Sequence, residues 1–265
     1  MNDPKPADGH SHAATTPLDL GRSRCRSCLQ RERCLPGTLN ASQSQHFEAM
    51  VQRRRPLAAG EHLFRVGDGF RHMFAVQSGC LKTSTIDAEG REHVMAFHFP
   101  GEVIGLDAVF PARHLTSCVA LTGSQVCHLP FTALTTLTHE MPELQTQLLR
   151  MVSRDMLGAA SIAGDFTANE RLAGFLVMVA ARVHRREAPP TALDLAMSRQ
   201  DIANYLRLAP ETVSRILARF QKDGLVKADR KRIALLNLNG LADIAACINP
   251  YARFGGQALQ RNAAS

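Results

Sequence analysis

The stretch SRQDIANYLRLAPETVSRILARFQKDGLV, residues 198–226, limits what this chain can fold into more than any other. Ser198 can cap a helix running to about Leu206, with Asp201 in its first turn, where a carboxylate meets the positive end of the helix dipole. After a short connection, Pro210 stands where the first turn of a second helix has no use for an N–H. Ile202, Leu206, Leu208, Val213, Ile216, Leu217 and Phe220 are spaced to pack the two helices at a steep angle. The exposed face of the second helix then carries Glu211, Thr212, Ser214, Arg215 and Arg219. A helix pair of this kind lays the N-terminal part of its second helix in the major groove of double-stranded DNA. There Arg215 can pair with guanine O6 and N7, Glu211 can accept from cytosine N4, and Ser214 and Thr212 suit phosphates or base edges. Arg219 and Ser198 complete the candidate DNA-contacting set. Between 198 and 236 nine Lys and Arg stand against four acids, the positive excess that phosphate binding requires. Residues 225–236, LVKADRKRIALL, read as a two-stranded wing with a basic tip. The competing reading is a structural helix pair with a solvated charged face.

Upstream, the texture is different. From about 57 to 130 short strand-like runs such as EHLFRVGDG, HMFAVQSG and CLKTSTIDAEG are broken at Gly67, Gly69, Gly79, Gly90, Gly101 and Gly123. Strands so short and evenly spaced predict an antiparallel barrel or jelly roll. From Pro142 the pattern turns helical, and Leu148, Met151, Val152, Asp155, Ala159 and Ile162 form a stripe that predicts either packing on the barrel or a homodimer seam, with the seam preferred. In a parallel dimer Asp155 would meet its symmetry mate, and the like charges would weaken association. The expected fold class is α+β. A tail over 1–20 precedes a cysteine loop over 21–36, a barrel over 37–142, a dimerisation helix over 143–166, a winged helix-turn-helix over 167–247, and a flexible tail over 248–265.

Three of the seven cysteines, Cys25, Cys28 and Cys34, fall within ten residues among arginines; Cys80, Cys118, Cys127 and Cys247 are scattered. No run approaches the roughly 18 apolar residues that a membrane helix needs, and the N-terminus lacks a secretory pattern. The expected compartment is a reducing cytoplasm, where clustered cysteines point to metal ligation or redox sensing rather than disulfides. With 31 Lys and Arg against 24 Asp and Glu, the net charge of +7 favours an anionic partner. G-x-S-x-G, P-loop and H-E-x-x-H patterns are all missing, so no enzyme is indicated.

A small barrel, a long helix and a winged helix-turn-helix in that order resemble the CRP/FNR family of bacterial transcription regulators, most closely its oxygen-responsive FNR type. The marks are C-x2-C-x5-C at Cys25, Cys28 and Cys34 followed by LPGTL, the segment SGCLKTSTIDAEGREHVMAFHFPGEVIGLDAV, the segment SQVCHLPF, and the helix ETVSRILARFQKDG. The resemblance implies an oxygen-labile [4Fe-4S] cluster held by three N-terminal cysteines and a distant fourth. By the local match to SQVCHLPF that fourth is Cys127; Cys118 is its rival, since spacing alone does not separate them. It further implies an intact cluster that favours the dimer, TTGAT-like half-sites read by Glu211, Ser214 and Arg215, and RNA polymerase as a further partner.

Some residues depart from the family pattern. Arg207 stands where the family often has glycine, Ala209 where a capping Ser or Thr is usual, and Arg33 precedes Cys34 where an apolar residue would shield a cluster better. Alternative readings remain: zinc on the same thiols in an interaction protein, a haem, or a cyclic nucleotide in the barrel. For the nucleotide, Gly101 and Glu102 match the family's ribose pair, but Arg113 is followed by His114 rather than a hydroxyl residue, leaving the phosphate clamp incomplete.

Overall fold

Capping chemistry and a two-residue apolar alternation divide the chain, in a computed structural model that describes residues 25–53, 56–183, 191–246 and 248. The tail expected over 1–20, Cys247, and all of the tail expected over 248–265 except Ile248 lie outside the described residues. Of the cysteine loop expected over 21–36, residues 21–24 lie outside the described residues, and the rest forms three 3-10 turns, Cys25–Ser27, Arg31–Arg33 and Leu35–Thr38. Helix α1, Ala41–Met50, follows; its capping box pairs the Asn40 side chain with the Gln43 backbone and the Gln43 side chain with the Asn40 backbone.

Eight strands build the barrel: β1 Gln52–Arg53, β2 His62–Phe64, β3 His72–Ser78, β4 Leu81–Ile86, β5 Glu92–His98, β6 Val103–Ile104, β7 Ser117–Ala120 and β8 Gln125–Pro130. They form two antiparallel sheets, ordered β1-β8-β3-β6 and β2-β7-β4-β5. Strand parity sorts β3 between two cores. Phe74 and Val76 face the other sheet with Phe64, Leu81, Ile104 and Cys118. Met73 and Ala75 point the opposite way, to a second core holding Cys25, Leu35, Phe47, Leu129 and Leu134.

Helix α2, Phe131–Glu140, and helix α3, Pro142–Ala163, complete this half. The helical texture was expected only from Pro142, because α2 is rich in threonine, a poor helix former. Thr135, Thr136 and Thr138 turn their hydroxyls back onto carbonyls three or four residues earlier, and fully buried Leu134 anchors the helix.

The C-terminal half contains α4 Ala168–Val183, β9 Ala192–Asp194, α5 Arg199–Leu206, α6 Pro210–Lys222, β10 Val226–Asp229, β11 Arg232–Leu235 and α7 Leu238–Ile244. The wing forms as expected from β10 and β11, with β9 added as a third strand on β11. Its core joins Leu172, Leu176, Ile202, Val213 and Phe220 to Val94, Phe97 and Phe99 of the barrel, so one apolar cluster spans both halves. Phe97 lies 6.1 Å from Phe175 and 5.3 Å from Tyr205 between ring centroids.

Candidate cysteine centre and nucleic-acid interface

A 3-10 turn repeats every three residues, so the C-x2-C spacing sets Cys25 and Cys28 on one side of the chain. Cys28 donates its N–H to the Cys25 carbonyl at 3.3 Å, and Cys34 donates to the Gln30 carbonyl at 3.0 Å. Helix α1 ties the loop down: Glu48 Oε2 accepts from the Cys25 N–H at 3.0 Å. Arg31 Nη2 donates to the Leu39 carbonyl at 2.9 Å. Gly37 closes the loop where nothing larger fits, since a Cβ there would meet the Glu32 carbonyl oxygen at 2.7 Å.

Cys25, Cys28, Cys34 and Cys127 line one small cavity together with Arg31, closed by Phe47, Val51, Ala75 and Leu129. Cys127 reaches it from β8, where it pairs with Ala75 of β3 and, like Ala75, points to the loop side of the sheet. Burial pushes the Cys34 thiol pKa well up, a backbone N–H of Leu35 opposes this, and charge on Cys127, Cys25 and Cys28 would raise it further. Cys118, nine residues from Cys127, is fully buried between the two sheets, and burial followed by the charges of Asp107 and Cys80 raises its pKa. It is not among the residues lining this cavity. Among the described residues no three His, Cys, Asp or Glu side chains are grouped so as to hold a metal ion.

Glu102 and His114, the barrel residues weighed for a nucleotide, are both buried. Glu102 is 5% exposed, and its Oε2 accepts from the Phe99 N–H at 3.0 Å. His114 is buried and lies flat on Phe64 with ring centroids 3.7 Å apart.

In the C-terminal half, Ser198 caps α5 through a full capping box with Asp201. Its hydroxyl donates to Asp201 Oδ2 at 2.6 Å, so this member of the DNA-contacting set is also a structural cap. Asp201 in turn meets Lys82 of β4 at 2.7 Å, and Lys82 reaches Glu92 at 2.9 Å. Asn204 extends the docking: its Oδ1 accepts from the Val94 N–H at 2.8 Å, and its Nδ2 donates to the Glu92 carbonyl at 2.6 Å.

Arg207 ends α5 in the left-handed region at φ 58, and Ala209 begins α6 with no side-chain cap. On α6, Glu211, Ser214, Arg215 and Arg219 are exposed and Thr212 is half-buried, while Val213, Ile216, Leu217 and Phe220 face the core. Among the described residues Glu211 and Arg215 have no side-chain partner, and Arg219 lies 3.7 Å from Asp223. An open groove beside this face is lined by Arg199, Ser214, Gln221, Lys222 and Arg230, joining the start of α5 to the wing tip. The wing-tip arginine and Lys222 were legible only as local charge; the groove is a tertiary feature.

The structure shifts the stripe expected on α3. Met151 is 3% exposed and, with half-buried Leu148, packs into its own barrel core. Asp155 is exposed and lies 3.7 Å from Arg154. Ala159 is exposed, Val152 is half-buried, and the Ile162 side chain lies outside the described residues. The outward apolar residues are Leu149 and Met156, 61% and 67% exposed. With Val152 and Ala159 they repeat at alternating steps of three and four, the spacing of a helix-pairing seam. Sequence periodicity did not separate this stripe from the one that packs inward, because both run along the same helix.

Comparison with known proteins bears on this architecture directly. A cyclic nucleotide-binding domain model matches residues 54–140, and a Crp-like helix-turn-helix domain model matches residues 170–244. The transcriptional activator protein Anr of Pseudomonas aeruginosa is 39% identical over 229 residues, covering 85% of this chain and 94% of the relative. The chain belongs to the CRP/FNR family. The fumarate and nitrate reduction regulatory protein of Escherichia coli is 35% identical over 83% of the chain and 90% of its own length. Among solved structures, FixK2 of Bradyrhizobium japonicum superposes with a TM-score of 0.64 at 26% identity, over 73% of this chain and 96% of that one. As a CRP/FNR regulator of the FNR/Anr type, the chain combines a barrel with a DNA-binding helix-turn-helix domain. Among its described residues no helix is long and apolar enough to cross a membrane.

Proposed function

We propose that this protein is an oxygen-sensing transcription regulator that acts in the cytoplasm as a homodimer. It holds a [4Fe-4S] cluster on Cys25, Cys28, Cys34 and Cys127 and binds two-fold symmetric DNA with TTGAT-like half-sites, controlling anaerobic and microaerobic gene expression with RNA polymerase as a further partner. The supporting observation is the convergence of four thiols, three from a ten-residue loop and one from a barrel strand, on one cavity beside Arg31. Likeness to a fumarate and nitrate reduction regulatory protein supports the same reading.

Four thiolates suit zinc as well as an iron–sulfur cluster. A lone zinc at about 2.3 Å from each sulfur pulls its ligands almost into contact. A cluster interposes its own sulfides and accepts thiolates set farther apart. The likeness to a fumarate and nitrate reduction regulatory protein is what favours the cluster over zinc on these thiols. When bound, the cluster supplies an oxygen-labile bridge between the loop and β8. The chain's own residues do the remaining work. Arg31 sets positive charge against the thiolates, Glu48 fixes the Cys25 backbone, and Ala75, being small, leaves the cavity open between β3 and the loop.

On the DNA side, the exposed Glu211, Ser214 and Arg215 read base edges while the basic groove follows the phosphates. Two such helices in one dimer bind one symmetric site together, and separation of the subunits loses that joint binding.

The deciding experiment is an ultraviolet–visible spectrum with iron and sulfide analysis on protein purified without oxygen, repeated in air. A broad visible absorbance with near-equal iron and sulfide, bleaching in air together with loss of operator affinity, is expected. A colourless protein carrying zinc, or no metal, would remove the cluster. Arg215→Ala is expected to abolish specific binding while leaving the spectrum unchanged; retained operator affinity would show that Arg215 reads no base.

A further inference from the structure

Arg33 ends the second 3-10 turn of the cysteine loop, next to Cys34, yet its side chain leaves the loop. Its Nη2 donates to the Ala181 carbonyl at 3.3 Å, in the last turn of α4 and 148 residues along the chain. The barrel lets it pass at Gly101, where a Cβ would sit 2.8 Å from Arg33 Cβ and where φ is 93. Neighbouring Glu102 is an electrostatic partner of Arg33, and Arg182 and Arg154 share the same surroundings. Arg182 Nε lies 3.4 Å from Glu102 Oε1, a buried oxygen that has no hydrogen-bond partner among the described residues. Arg182 also donates to the Phe97 carbonyl at 3.2 Å. The buried Glu102 carboxylate thus pairs with an arginine from the first helix of the DNA-binding half and lies in the electrostatic surroundings of one from the cysteine loop.

We propose that Arg33 is a positioning residue that couples the fold of the cysteine loop to the orientation of the DNA-binding domain. With the loop folded, Arg33 holds the end of α4 through the Ala181 carbonyl, next to the Arg182–Glu102 pair. When the loop loses its turns, the Ala181 carbonyl loses this donor. Helix α4 packs in the same core as α5 and α6, so a shift of α4 moves the recognition helix with it. This route lies within one chain, separate from the helix seam between subunits, and it rests on the proposed role of the four cysteines.

The test compares the parent with Arg33→Ala and Arg33→Lys, using fluorescence anisotropy on a duplex with two TTGAT half-sites, before and after air. Visible absorbance and sedimentation are recorded on the same samples. Arg33→Ala is expected to keep the absorbance and the dimer while the ratio of anaerobic to air-exposed affinity falls about fivefold or more. Arg33→Lys should recover only part of the ratio, because an ammonium lacks the planar fork that reaches two acceptors. An unchanged ratio in an Arg33→Ala protein of full absorbance overturns the proposal. Should Arg33→Ala fail to take up the cluster, Arg182→Gln, which leaves the cysteine loop intact, carries the measurement. A lowered ratio there upholds the coupling and an unchanged one overturns it. Should the parent itself hold no cluster, the cysteine reading fails on its own. The coupling is then read by amide exchange over residues 176–183, where faster exchange in Arg33→Ala upholds it and equal exchange overturns it.

Discussion

At the scale of single residues, the turn between α5 and α6 is held by two side chains that suit it poorly. Arg207 occupies a left-handed backbone that costs a non-glycine residue about 1 kcal/mol, and Ala209 offers no oxygen to the first amides of α6. The Arg207 guanidinium recovers a little through His93 Nδ1 at 2.8 Å, an exposed contact of small worth. Arg207→Gly and Ala209→Ser are each expected to stabilise the chain by about 1 kcal/mol, read as a rise in denaturant midpoint. A fall in midpoint for both would show that the turn is not strained as described. The cysteines separate equally well by substitution. Cys127→Ala is expected to prevent stable cluster assembly, whereas Cys118→Ala should keep the visible spectrum and lower stability by about 1 kcal/mol for the lost packing. The reverse pattern would make Cys118 the fourth ligand.

At the scale of elements, α3 carries two apolar stripes with different destinations. Leu144, Leu148 and Met151 hold the helix on its barrel, and Leu149, Met156 and Ala159 face outward beside half-buried Val152. Met156→Glu puts a charge in the middle of the outward stripe, where a second copy would have to desolvate it. It is expected to lower the dimer fraction in sedimentation about tenfold or more. Asp155→Ala is expected to raise that fraction, by removing a charge that would meet its symmetry mate in a parallel dimer. A dimer insensitive to Met156→Glu would place the seam elsewhere.

At the scale of the whole molecule, the DNA-binding half is docked on the β4–β5 hairpin. Burial alone would lower the Lys82 pKa, but its hydrogen bonds to Asp201 and Glu92 outweigh burial and raise it. Burial would raise the Asp201 pKa, but Lys82 and Ser198 outweigh it and lower it. The sign follows from linkage. Asp201 contributes stability above its unfolded value of about 3.9 that is lost as pH falls, and Lys82 contributes below about 10.4 and is lost as pH rises through its folded value. The docking contact should therefore hold from about pH 4 to pH 10. Lys82→Met is expected to weaken docking by about 2 kcal/mol while leaving the α5 cap intact, since Ser198 still holds Asp201. Amide exchange of α5 would rise relative to α6; equal exchange would show that Lys82 contributes nothing to docking.

The helix pair over 198–222, its cap at Ser198, the wing and the barrel were legible in the residues themselves, because capping, helical period and glycine breaks act over a few positions. The clustered thiols were legible for the same reason. Helix α1 was available in principle from Asn40 and Gln43 but lacked a strong apolar stripe, and α2 was obscured by its threonines. Local patterns do not say which way a strand residue points relative to a distant loop. Only the folded sheets put Cys127 at the loop and Cys118 in the barrel interior. The same holds for charges that meet across the halves, as at Lys82 with Asp201 and Arg33 with Ala181. Short-range chemistry thus determined the elements and the residue types a site could use. Tertiary packing decided which cysteine lines a cavity with the other three, which stripe of α3 faces outward, and which arginine leaves its loop, since each depends on groups tens of residues or more apart in the chain.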